Sequence, residues 1–172
     1  MDIAIMGTRG IPAAYGGFET FAQELSCRLV ERGHRVWVYC RPHAVGERLD
    51  EFHGVRLVHL PSIGHKYLET VSHTFVSVMS MLARGPRVDV ALICNAANSA
   101  FSWMPRLAGT RTVVNVDGLE RMRKKWNALG RAYYRLGEWF STWMPDAIVT
   151  DALCIQRSIS RREPTPPRAK TF

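Results

Sequence analysis

Two hydrophobic patterns alternate along the chain. Short apolar runs are separated by longer stretches in which apolar residues return every three or four positions, the spacing of one helix face. Asp2–Met6 reads as a first strand. Gly17–Arg32 reads as a helix with Phe18, Phe21, Ala22, Leu25, Leu29 and Val30 on one side. Gly33 is placed to end it, because glycine adopts the left-handed conformation that closes helices. Arg35–Cys40 is the next strand, and Val55–Leu60 another, stopped by Pro61. Tyr67–Ala83 is helical in spacing and closes at Gly85-Pro86. Val88–Cys94, Thr110–Val116 and Ala147–Thr150 are further strands. Ser99–Leu107 reads as a short helix and Lys125–Trp143 as a long amphipathic one.

The strands do not alternate strictly between apolar and polar positions. Runs of that kind, separated by helices, predict an α/β fold: a Rossmann-like parallel sheet with helices on both faces. Such sheets bind ligands beyond the C-terminal ends of their strands. The loops after Met6, Cys40, Cys94 and Val116 are therefore where chemistry is expected. No internal repeat is present. The segment REPTPPRAK near the C-terminus has no periodicity and is expected to be disordered.

Composition narrows the reading. The chain has 172 residues, of which 47% are hydrophobic, the size of one domain with its own core. No apolar stretch is long enough to cross a bilayer, and the N-terminus lacks the pattern of a signal peptide. The expected location is the cytoplasm. Cys27, Cys40, Cys94 and Cys154 are far apart and read as small buried hydrophobes in a reducing compartment. The six histidines show no ligand spacing, so no metal site is expected. The net charge of +8 suggests an anionic partner. Half of it comes from residues 156–172, where five basic residues face one acid. A second basic block runs from Arg121 to Arg135.

The loop after the first strand is Gly7-Thr8-Arg9-Gly10, then Ile11-Pro12, then Tyr15-Gly16-Gly17, then helix. It is neither the dinucleotide GxGxxG turn nor a Walker A sequence. Two readings fit. Glycines without a Cβ let a phosphate approach the backbone, and a helix N-terminus offers free N–H groups and the positive end of a dipole. Equally, the glycines can simply permit a tight strand-to-helix connection.

The stretch GTRGIPAAYGGFETFAQEL closely resembles the opening of GT-B glycosyltransferases of family 4. The likeness is strongest to bacterial enzymes of polysaccharide assembly, including rhamnosyltransferase-like members. RLVERGHRVWVYCR and NVDGLERMRKKW resemble the same group in the same order, and the resemblance covers residues 1–156. It implies the N-terminal, acceptor-side half of a GT-B fold. It also implies a retaining transfer of a sugar from a nucleotide sugar to a lipid-linked or oligosaccharide acceptor. No cofactor or metal is implied, the nucleotide sugar being a substrate.

The resemblance places Arg9, Gly16 and Gly17 against the donor diphosphate. Glu19 lies in the first helical turn, on the acceptor side by the resemblance or as an ordinary N-terminal acid. Asp117 stands where many relatives carry a histidine, which implies a position facing the sugar or acceptor hydroxyl. Read from the residues alone, it belongs to an Asx-type turn with Gly118. His65 is expected to line the acceptor side. Arg123 and Lys125 either contact an acceptor phosphate or are solvated charges before a helix. Arg121 replaces a tryptophan usual in close relatives.

The helix from Lys125 mixes basic and aromatic residues. Three readings compete: a core-facing amphipathic helix, a surface docked on an anionic membrane, and a binder of single-stranded nucleic acid. No nucleic-acid motif supports the last. The second GT-B domain, with its two glutamates eight residues apart, has no counterpart here, and after Gln156 the chain departs from the family. The expectation is an acceptor-side domain over residues 1–156, a basic tail over 157–172, and little transfer activity alone. The partners expected for the intact enzyme are a nucleotide sugar, a lipid-linked saccharide and an anionic membrane surface at the inner face of the plasma membrane. The competing class is a non-catalytic module that binds an acceptor, a membrane or a partner chain.

Overall fold

The computed structural model describes residues 1–14, 16–42, 48–65, 68–116 and 128–150, with the backbone alone at 128–134 and 138. Seven strands form one sheet in the order β3-β4-β2-β1-β5-β6-β7. They are β1 (Asp2–Met6), β2 (Arg35–Cys40), β3 (Glu51–Phe52), β4 (Val55–His59), β5 (Val90–Cys94), β6 (Arg111–Val116) and β7 (Ala147–Thr150). All neighbours pair parallel except β3 with β4. The β1–β2 register sets Ala4 beside Trp37, and the β1–β5 register sets Ala4 beside Ala91.

Alternate residues of each central strand enter two separate cores. Ile3, Ile5, Val36, Val38, Leu92 and Cys94 pack on one face. Ala4, Met6, Trp37, Tyr39, Ala91 and Ile93 pack on the other. Both sets are apolar because both faces are covered, which is why the strands carry continuous hydrophobic runs.

Helix α1 (Gly17–Glu31) covers the first face with Phe18, Phe21, Leu25 and Leu29. It ends as the glycine signal predicts. Gly33 has φ +81°, its N–H reaches Val30 O at 2.8 Å, and the His34 N–H reaches Leu29 O at 3.1 Å. This is the Schellman arrangement. Helix α2 (Glu69–Arg84) covers the second face through Val78 and Met81.

The predicted helix at Ser99–Leu107 is two pieces: a 3-10 turn at Ala96–Phe101, then α3 (Trp103–Arg106). Asn95, at φ +76°, caps the 3-10 turn, accepting the Ala97 N–H at 3.0 Å. Helix α4 (Ala128–Trp143) lies on this 3-10 turn. Gly137 makes the approach possible: a Cβ there would stand 2.7 Å from Ala96 O. The Ser99 hydroxyl bonds Gly137 O at 2.6 Å. Residues 125–127 of the predicted long helix, and the predicted tail, lie outside the described residues.

Candidate functional site

Strand order reverses between β1 and β5. From β1 the chain moves through α1 to β2 and β4; from β5 it moves the opposite way to β6 and β7. At such a switch point the connecting loops part and leave a crevice at the C-terminal strand ends. The glycine-rich loop leaves β1 at this point.

Gly7 begins it with φ +91°, and a Cβ there would collide with Cys94 O and stand 2.9 Å from Asn98 Nδ2. Gly10, at φ +118°, passes over Cys40, whose Sγ would be 2.7 Å from a Cβ. Gly16 takes φ +110° as the residue before α1. These three glycines thus meet steric demands of the connection itself. Gly17 differs: it is exposed, and a Cβ there would meet nothing within 4 Å.

Three of the loop's N–H groups are bound by side chains of the loop and of α1. The Arg9 N–H donates to Glu19 Oε1 at 3.2 Å, and the Gly10 N–H to Thr8 Oγ1 at 3.2 Å. The Ala13 N–H donates to Gln23 Oε1 at 2.8 Å. Glu19 and Gln23 are four residues apart, so one face of α1 turns two acceptors back onto the loop. At the helix start, by contrast, the N-cap residue is Gly16, which has no side chain to take up the first N–H groups. Gly17 therefore keeps the open space at the positive end of the helix dipole that suits an anion, while the Glu19 carboxylate stands beside Gly16. The Arg9 side chain is exposed, and its charge reaches Arg41.

Beneath the loop lies a polar cluster that sequence reasoning missed. Arg41 follows β2, and its N–H bonds Arg9 O at 2.9 Å. Its guanidinium is only 4% exposed, 3.4 Å from Glu69 Oε1 and 3.0 Å from Thr70 Oγ1, while Nε is buried without a hydrogen-bond partner. Desolvation lowers the Arg41 pKa; the Glu69 charge opposes this, while Arg9 adds to it.

His73 is fully buried, with Nε2 3.1 Å from Cys40 O. Burial first, and the Arg41 charge second, push its pKa down to about 4. Burial raises the Cys40 thiol to about 11, so it stays neutral and unreactive. The one signal for this cluster was the expectation of chemistry after Cys40.

His65 is exposed where the chain enters α2, and its carbonyl accepts the Leu68 and Glu69 N–H groups at 2.9 Å each. Asn115 and Val116 end β6 buried. Asp117, Arg123 and Lys125 follow that strand but lie outside the described residues. Asn115, which opens the polar strand-end segment NVDGLE, and Asn98, which was not singled out from sequence, are both buried with an unpartnered Oδ1.

The fold and this edge define a class: a Rossmann-like α/β domain of the GT-B kind. Solved structures share it. A sucrose-phosphate synthase from Thermosynechococcus elongatus aligns with a TM-score of 0.61 at 13% identity, over 100% of this chain and 87% of that one. A UGT of Medicago truncatula complexed with UDP-glucose aligns at 0.58 and 9% identity, over 99% of this chain and 51% of that one. A UGT of Arabidopsis thaliana complexed with UDP aligns at 0.58 and 12% identity, over 99% and 48%.

The chain belongs to the family described as a domain of unknown function (DUF1972), matched over residues 1–170. No curated protein matches it. The chain spans about half the length of each UGT.

Proposed function

We propose that residues 1–156 are the acceptor-side domain of a glycosyltransferase. The intact enzyme moves a sugar, with retention, from a nucleotide sugar to a lipid-linked or oligosaccharide acceptor in bacterial surface polysaccharide synthesis. One observation carries this reading. The glycine-rich loop that resembles family 4 enzymes sits at the strand-order switch point, with exposed Gly16 and Gly17 at an uncapped helix start. Two proteins of like fold are complexed with UDP-glucose and UDP, which favours a nucleotide-sugar donor.

In this reading Gly16, Gly17 and Arg9 face the donor diphosphate. Asp117 stands beside the reacting centre, where a carboxylate orients the attacking hydroxyl and stabilises positive charge developing on the sugar. His65, Arg123 and Lys125 line the acceptor side. Glu19 is read with the loop, because its carboxylate accepts the Arg9 N–H. The reaction needs no metal or cofactor. A second domain holds the nucleotide, so this chain alone transfers little or nothing.

The intact enzyme also touches the anionic inner face of the plasma membrane. Trp103, Trp139 and Trp143 are 45%, 54% and 62% exposed, which favours that contact, since tryptophan suits a membrane–water boundary.

The test is transfer from a panel of UDP- and dTDP-sugars to a lipid-linked acceptor. The chain is assayed alone and with a separately supplied donor-binding half. Transfer only in the mixture, lost with Asp117→Asn, is expected. Robust transfer by the chain alone, or none in either case, overturns the reading.

A further inference from the structure

An anion-binding loop normally keeps its N–H groups for the ligand. Here one of them already holds an anion belonging to the protein. Glu19 is 91% buried, a costly place for a carboxylate unless it is bonded and balanced by charge. Oε1 accepts the Arg9 N–H, and Oε2 lies where a Cβ on Gly16 would stand. Glycine at 16 thus leaves room for the Glu19 carboxylate as well as allowing φ +110°. The charges of both Glu19 and Arg9 reach the buried Arg41 guanidinium. Glu19 consequently sits among a loop N–H, a helix start and two arginines, the surroundings that would otherwise draw a phosphate.

We propose that the Glu19 carboxylate is the resident anion of the glycine-rich loop, and that its negative charge weakens the loop's hold on a diphosphate. This rests on the reading above that the loop faces the donor diphosphate. Glu19 is a positioning residue: it shapes the loop through the Arg9 N–H and leaves the incoming phosphates the Gly16-Gly17 end. A like charge next to the diphosphate costs affinity, more so as water is excluded. For a transferase the cost has a use. The nucleoside diphosphate left after transfer keeps the same phosphates, and a loop that grips them less tightly releases that product sooner.

The experiment titrates inorganic pyrophosphate and UDP into the full 172-residue chain at low ionic strength, followed by amide and carboxyl chemical shifts. Glu19→Gln keeps an oxygen that can accept the Arg9 N–H but removes the charge. It should bind roughly threefold to tenfold more tightly than the unmodified chain, the gain shrinking as salt screens the charge. Glu24→Gln is the control. It removes an exposed charge from the same helix, which pairs with Arg28 at 3.2 Å, and should leave binding unchanged.

A purely structural Glu19 would show no such salt-dependent gain. Equal or weaker binding by Glu19→Gln overturns the proposal and leaves the donor reading standing. Binding by neither protein overturns the proposal, and the transfer assay with the supplied donor-binding half then decides the donor reading. Should Glu19→Gln not fold, the unmodified chain decides: the Glu19 carboxyl resonance should move with added pyrophosphate, and a stationary one overturns the proposal.

Discussion

His73 is neutral at physiological pH because its ring is buried and faces the Arg41 guanidinium, with Glu69 opposing more weakly. A pKa of about 4 against the usual 6.5 makes the folded state resist protonation that the unfolded chain accepts. Stability is therefore full above about pH 6.5 and is lost as the pH falls from there towards 4. Within that window the loss is about 1.4 kcal/mol per pH unit. Urea unfolding from pH 7 to pH 5 should show this slope, and His73→Gln should flatten it. A slope unaltered by the substitution would mean that other groups set the acid sensitivity. The same cluster shows what residue patterns hide. Arg41 opens the stretch RPHAVGER, which is expected to carry chemistry as a strand-end loop but gives no sign that its first residue is buried. Its burial depends on Glu69 and Thr70, supplied by another helix.

Helix α4 shows how far one element can be read from its own residues. Its amphipathic spacing was visible, and its packing on the 3-10 turn through Gly137 agrees with a core-facing helix. Periodicity did not say which aromatics would remain outside. Leu136, Trp139 and Trp143 are exposed at 56%, 54% and 62%, because α4 rests on the 3-10 turn and buries a different side. If this surface meets a membrane, the full chain should co-sediment with vesicles containing anionic lipid and much less with neutral ones. Trp139→Ala combined with Trp143→Ala should weaken vesicle binding on the order of tenfold. Equal binding by the double variant would place the contact elsewhere.

The elements α1 and α2 were equally plain, since each carries one apolar face. Strand β3 was not: two residues at the sheet edge, with Glu51 exposed and Phe52 half-buried, carry no periodic signal.

Across the whole molecule, stability should follow position in the sheet. Strands β1, β2 and β5 are central and buried on both faces. Strand β7 lies at the edge and is half-buried throughout, and β3 ends the other side. Native-state hydrogen exchange should therefore be slowest in β1, β2 and β5 and fastest in β3 and β7. Uniform protection across all seven strands would mean that the sheet opens only as one unit.

At this scale the fold and its crevice were legible from the alternation of strands and helices, because parallel sheets impose apolar runs and place loops at one edge. The internal bonding of the loop was not legible. Its acceptors Glu19 and Gln23 lie in a helix that reads well on its own, with no sign that two of its polar side chains turn backwards.

By itself the sequence determined the six longer strands, the helices α1, α2 and α4, their order, and the place of the glycine-rich loop between β1 and α1, but not β3 or the split of the Ser99–Leu107 segment. Those properties follow from local spacing of apolar residues and from glycine's freedom, which act between near neighbours in the chain. Only the tertiary structure decided that β5 would pair with β1, and that Arg41 and His73 would be buried beneath the loop. It alone decided that Glu19 would take up one of the loop's N–H groups. Each of these joins groups from separate segments, and the energy of a buried charge depends on what surrounds it in space, which no local pattern records.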